Sequence, residues 1–243
     1  MANAIKRLMG RALFPASGGL VSFDDPYAAL SRLLRHHRVT GILDAGASHG
    51  RVSQRLLRAF PNAHLYAFEP NPLYAKPLAE LARRIPRFHP FALALSDHDG
   101  PVDFYLTQSP GTTSMFAPNE RLHRIYPSET AVRTVSTVTA TTIDHWSVQQ
   151  GKPELHLMKL DIQGGELNAL KGAATMLRTT TLAVYTEVFF NALYTGGALW
   201  SEIDLLLRES GFVLYTLLKP RADRQGTLIQ ANAVYAHAGR LGL

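Results

Sequence analysis

The sequence predicts an α/β fold, one doubly wound domain around a mostly parallel sheet. Three observations carry this. Along 243 residues, apolar runs of strand length alternate with amphipathic helical patterns, which implies parallel strands joined by helical crossovers. The stretch "ILDAGASHG", Ile42 to Gly50, ends a strand in an acid and a glycine-rich turn, as strands that open onto a ligand crevice do. Near the C-terminus, "FVLYTLL" and "QANAVYAH" are strand patterns with no helix between them, so they read as an antiparallel edge hairpin.

The elements follow in order. "SFDDPYAALSRLLRHH" has Asp24 or Asp25 as a cap, Pro26 at a first helical position, and Tyr27, Leu30, Leu33 and Leu34 at helical spacing. "VTGILDAG" is a buried strand, "GRVSQRLLRAF" a helix stopped by Pro61, and "AHLYAFEP" the second strand. "PLYAKPLAELARRI" is helical despite Pro77, "RFHPFALALS" is a strand, and "GPVDFYLT" alternates as a half-exposed one. Residues 108–133 lose regularity, which marks a binding loop or a disordered segment. Then "TVSTVTATTIDHW" runs from strand into helix, "ELHLMKLDI" is a strand, "GGELNALKGAATML" a helix, "LAVYTEVFF" a strand and "LWSEIDLLLRESG" a helix. Residues 1–39 are expected to be an N-terminal helical extension and residues 40–243 the domain itself.

Composition narrows the function. At 46% hydrophobic and 18% charged the chain can build a full core, and no apolar run approaches membrane-spanning length. It has no cysteine, so disulfides, zinc-thiolate sites and cysteine nucleophiles are excluded, and a cytoplasmic location is expected. Of the formal +6 charge, residues 1–40 supply +4, six cations against two acids. That basic N-terminus has two readings: a solvated helix, or a peripheral contact with an acidic lipid surface or with nucleic acid. No histidine spacing suggests a metal site, and no metal is expected.

The glycine turn points to a cofactor. Gly46 and Gly50 let the backbone turn tightly, and Ala47 and Ser48 lie between them. The first strand ends at Asp44 and the next at Glu69, where an acid is placed to accept hydrogen bonds from both ribose hydroxyls. Two cofactors fit this layout, a dinucleotide and S-adenosyl-L-methionine. Asp44 would repel a pyrophosphate but suit an ammonium, which favours S-adenosyl-L-methionine over NAD.

At these residues the chain resembles the FkbM family of S-adenosylmethionine-dependent methyltransferases, from about Thr40 to Gly211. Four blocks carry the resemblance: "LDAGASHGRVSQRL", "YAFEPNP", "ALSDHDGPVDFY" and "LMKLDIQGGELNALKGA". The family often has Asn where Ser48 stands and Ala where Gly165 stands. The resemblance implies a Rossmann-like class I methyltransferase domain. It also implies O-methylation of a hydroxyl on a sugar, glycolipid or secondary metabolite. The cofactor contacts would be Asp44, Gly46, Ala47, Ser48 and Gly50, then Glu69, Pro70 and Asn71, then Leu95, Ser96 and Asp161.

A hydroxyl is a poor nucleophile at neutral pH, so a base or a metal is needed. Asp161, Glu187 and His49 are the candidates; Asp161 has a competing reading as a helix cap, and His49 as an exposed loop residue. Lys159 is either a pocket cation or the partner of Asp161, and Glu166 reads as a helix-dipole partner. Phe189, Tyr194 and Trp200 are candidates to line an acceptor, although core packing is their commoner fate. The acceptor is expected to be a small molecule or glycan. Nucleic acid is not, because no Asn-Pro-Pro-Tyr-type motif is present and the basic residues lie far from the site in sequence. An NAD-dependent oxidoreductase is the rival that Asp44 disfavours. The oligomeric state is not legible.

Overall fold

The computed structural model describes residues 25–243. Residues 1–24, the first part of the basic N-terminal extension, lie outside the described residues, and with them that part of both readings of its charge. Helix α1 (Pro26–Leu33) is capped by Asp25, whose Oδ1 accepts from Tyr27 N at 3.0 Å. Its Ala29 and Leu30 are fully buried, so this part of the extension is built into the core.

The strands of the main sheet are β1 (Gly41–Ala45), β2 (His64–Phe68), β3 (Phe88–Phe91), β7 (Leu157–Leu160), β8 (Ala183–Phe189), β9 (Phe212–Ala222) and β10 (Leu228–His237). Their order is β3-β2-β1-β7-β8-β10-β9. All neighbours are parallel except β10, which runs antiparallel to both β8 and β9. Helices α2 (Arg51–Ala59) and α3 (Ala75–Arg84) join α1 on one face. On the other lie α5 (Ile143–Gln149), α6 (Glu166–Lys171), α7 (Ala174–Thr179) and α8 (Trp200–Glu209). This is the doubly wound, Rossmann-like arrangement that alternating periodicity predicts, with the antiparallel edge in place. Helix α9 (Ala238–Leu241) closes the chain.

A second sheet departs from expectation. It has three strands, β4 (Ala94–Leu95), β6 (Val132–Thr141) and β5 (Gly100–Thr107), in the order β4-β6-β5. The predicted strand over residues 87–96 is therefore two strands in two sheets. Pro90 has no amide to donate, which suits β3 to the sheet edge, and the chain leaves the sheet just after it. The irregular segment 108–133 holds a 3-10 turn (Pro110–Thr112) and a short helix, α4 (Glu120–Ile125), capped by the Asn119 side chain. The single helix expected over residues 164–177 breaks at Gly172. A Cβ there would stand 2.2 Å from the Ser96 carbonyl oxygen, and Asp144 restarts the chain as α7 by accepting from Thr175 N and Met176 N at 2.7 and 3.1 Å. No helix of the described residues is long and apolar enough to cross a membrane.

Candidate active site

The strand order reverses between β1 and β7, and there the carboxyl ends of β1, β2, β7 and β8 open onto a cavity of about 610 Å³. Cavities of this size hold drug-sized ligands. The wall takes Gly46 and Ser48 after β1, Glu69, Pro70 and Asn71 after β2, Leu95 from β4, Asp161 and Gln163 after β7, and Glu187 from β8. Asp44, Ala47, His49, Gly50 and Ser96 are not on it.

The turn after β1 is shaped by its own protein neighbours. Gly46 has φ +73°, and a Cβ there would lie 1.9 Å from the Asp161 carbonyl oxygen. Gly50 has φ +71°, and a Cβ would meet Leu81 at 2.6 Å. Ser48 also adopts a left-handed conformation, with φ 50°, and its amide donates to Glu69 Oε2 at 2.9 Å. Glu69 Oε1 accepts from Asn71 N at 2.9 Å. Each carboxylate oxygen thus keeps acceptor capacity facing the cavity. Burial raises the Glu69 pKa, and the two backbone amides oppose that only in part.

Asp44 is placed differently from expectation. It is fully buried and faces α2, where Lys159 Nζ approaches Oδ1 at 2.9 Å and Ser53 Oγ donates to Oδ2 at 2.5 Å. Lys159 is buried as well, and donates to the carbonyls of Ala45 and Gly46 at 2.9 and 3.0 Å. Burial alone would lower the Lys159 pKa, but the carboxylates of Asp44 and Asp161 outweigh it and hold the ammonium above its ordinary value. The ion pair braces the glycine turn from beneath.

Gln163 organises the opposite wall, and sequence reasoning missed it as a site residue. Its Nε2 donates to Asp161 Oδ1 at 2.9 Å and to Glu187 Oε2 at 2.8 Å, and its Oε1 accepts from Tyr194 OH at 2.8 Å. Its backbone sits at φ 57°, uncommon for a residue with a side chain, and the Ser114 hydroxyl donates to its carbonyl at 2.7 Å. Glu166 holds this turn by accepting from Ile162 N and Gly164 N, and burial pushes its pKa up to about 7. Glu187 is 8% exposed and also accepts from Gln230 Nε2 at 2.8 Å. Burial first, then the Asp161 and Glu166 charges, raise its pKa well above the usual carboxylate range. The one available signal for Gln163 was its place in the block "KLDIQGGE", two residues after Asp161.

The other predicted residues scatter. His49 is exposed and stacks edge-on against Tyr74 at 4.6 Å. Ser96 is buried, its hydroxyl donating to Asp97 at 3.2 Å. Phe189 lines the cavity, Tyr194 supports Gln163, and Trp200 packs on the core with Nε1 donating to Tyr235 OH. Among the described residues, no group of three or more His, Asp or Glu is arranged to hold a metal ion.

Residues 44–214 match the family described as "Methyltransferase FkbM domain". The chain is 31% identical over 171 residues to the 2-O-methyltransferase NoeI of Sinorhizobium fredii, a span that covers 68% of this chain and 70% of NoeI. Among solved structures it is similar to a methyltransferase FkbM from Methylobacillus flagellatus. The TM-score there is 0.49 at 14% identity, over 92% of this chain and 46% of that one, so this chain spans under half its length. A second likeness is to the 1,6-didemethyltoxoflavin-N1-methyltransferase of Burkholderia thailandensis, with a TM-score of 0.44 at 15% identity over 97% of this chain and 86% of that one.

Proposed function

The chain belongs to the FkbM methyltransferase family, and from that premise we propose that it moves a methyl group from S-adenosyl-L-methionine to a hydroxyl of a small-molecule or glycan acceptor. The observation that carries this reading is one cavity with acids at both ends, Glu69 at one and the Gln163-bridged pair Asp161 and Glu187 at the other. The O-methylation in the name of NoeI supports the choice of a hydroxyl.

The residues present fit the cofactor. Glu69 keeps acceptor capacity for a ribose diol, and Phe68, Pro70 and Leu95 offer apolar surface for an adenine. The ammonium has a partner other than the buried, neutralised Asp44: Asp161 is the carboxylate that faces the cavity beside Gly46. When bound, S-adenosyl-L-methionine supplies an electrophilic methyl carbon on a cationic sulfur. This chain's residues then hold the acceptor oxygen in line with that carbon and receive its proton. The acceptor oxygen gains the methyl and loses its proton, while the carbon–sulfur bonding pair returns to sulfur.

Glu187 is the proposed proton acceptor. Its raised pKa makes it a stronger base than an ordinary carboxylate, and it faces the half of the cavity lined by Phe189 and Leu193. Asp161 is proposed for the ammonium, and Gln163 keeps the two carboxylates apart. His49, off the cavity wall, has no proposed part.

Calorimetry and turnover test these assignments together. S-adenosylhomocysteine should bind and NAD should not. Glu69→Ala should weaken S-adenosylhomocysteine by about 1.5–3 kcal/mol, the scale of hydrogen bonds to a charged group. Glu187→Gln should lower turnover by about 10²–10⁴-fold with cofactor affinity nearly unchanged. Asp161→Asn should weaken cofactor binding. If Asp161→Asn instead spares affinity and removes turnover while Glu187→Gln does neither, the two roles are exchanged. NAD binding as tight as S-adenosylhomocysteine would end the methyltransferase reading.

A further inference from the structure

The wall of the cavity changes sign at its mouth. The strand ends present Glu69, Asp161 and Glu187, but between α1, α2 and the far end of β9 the lining turns basic. Arg55 and Lys219 line both the cavity and an adjoining surface cleft, Arg58 lines the cleft, and Arg221 lines the cavity. All four are exposed, and none is in an ion pair with a described residue. The one acid lining the cleft is Asp25, and its Oδ1 is engaged by Tyr27 N as the cap of α1. In the cleft, three cations therefore face a single, already committed carboxylate, while Arg221 lies on the cavity wall, which also carries Glu69, Glu129, Asp161 and Glu187.

Their placement is built into the backbone. Leu218 pairs with Asn232 and Arg221 with Gln230, so Lys219 and Pro220 together oppose Ala231 in a β-bulge. Lys219 sits in it at φ 49°, a conformation that disfavours any residue with a side chain. Bulges re-aim side chains beside active sites, and this one turns the lysine onto the cavity wall. On the opposite side, the Arg55 guanidinium lies 5.6 Å above the Tyr27 ring, which fixes it at the mouth.

We propose that Arg55, Arg58, Lys219 and Arg221 form a subsite for a phosphate or diphosphate group carried by the methyl acceptor. The proposal rests on the methyltransferase reading above. The charge count separates acceptor from cofactor. S-adenosyl-L-methionine has one carboxylate, which one cation satisfies, whereas three cations lining one cleft, with Arg221 on the adjoining cavity wall, match a group with several anionic oxygens. Guanidinium forks bind such groups with two parallel hydrogen bonds, and a lysine adds a compact point charge.

The test is titration of inorganic pyrophosphate into protein saturated with S-adenosylhomocysteine. Pyrophosphate should bind, and Lys219→Gln/Arg221→Gln should weaken it by about tenfold or more, the factor expected for lost charge-assisted contacts. Arg55→Gln/Arg58→Gln on the other element should do the same. Affinity for S-adenosylhomocysteine should stay within about threefold in both variants, well inside one charge-assisted bond. Three results would overturn the proposal. One is absence of pyrophosphate binding. Another is a parallel loss of S-adenosylhomocysteine affinity, which would assign the cations to the cofactor's carboxylate. The third is co-sedimentation with phosphatidylglycerol vesicles without any response to soluble pyrophosphate, which would make the rim a lipid contact. A protein that binds pyrophosphate but not S-adenosylhomocysteine would sink the methyltransferase reading itself, and the acceptor assignment with it.

Discussion

Lys159→Met isolates the ion pair beneath the glycine turn. The substitution keeps most of the side-chain volume, so little cavity forms. It strands Asp44, which is 0% exposed and would retain only the Ser53 hydroxyl. Removing one partner of a buried pair typically costs about 3–5 kcal/mol, because the remaining charge cannot be solvated. The Gly46 carbonyl also loses its lysine donor, whereas the Ala45 carbonyl keeps the Asp161 amide at 3.2 Å. For a domain of this size the loss corresponds to a fall in melting temperature of about 6–20 °C. Urea unfolding at pH 7, followed by circular dichroism and fluorescence together, measures the effect. Adding Asp44→Asn to Lys159→Met removes the stranded charge and should recover about 2 kcal/mol or more, which a double-mutant cycle reads as coupling. A loss below about 1 kcal/mol, or a double variant no better than Lys159→Met, would refute the view that this pair braces the turn.

Three further expectations follow from the same geometry. Gly46→Ala sets a Cβ 1.9 Å from the Asp161 carbonyl at φ +73°, so it should destabilise by about 2–5 kcal/mol, checked by urea unfolding. Glu166 and Glu187 have folded pKa values above their unfolded ones, so between those values the folded state holds more protons than the unfolded state. Stability should therefore fall as pH rises from about 4.5 to about 7 for Glu166. A melting-temperature series over that range should decline, and less steeply in Glu187→Gln. Residues 108–133 carry Met115 and Tyr126 onto the cavity wall and should become protease-resistant when acceptor and cofactor are both present. Equal resistance without ligands would mark the segment as a fixed wall rather than a lid.

The doubly wound sheet was legible because its causes are local. Alternating periodicity places strands and helices, and an acid at a strand end is read from the strand itself, so Glu69, Asp161 and Glu187 could be named before any coordinates. What tertiary structure alone decided has a common cause, contact between segments far apart in the chain. Asp44 reads as a ligand for an ammonium until Lys159 arrives beside it from β7 and neutralises it. Gln163 reads as a turn residue until β8 and the Tyr194 segment bring it a second carboxylate and a phenol. The helix after Gly164 reads as continuous, because nothing near Gly172 in sequence reveals the Ser96 carbonyl pressed against it. The basic rim joins one helix near the start of the domain to a bulge near its end, a juxtaposition that no local pattern contains. Periodicity reports which face of an element is buried, but which charge meets which is set by the order in which the sheet brings its strands together.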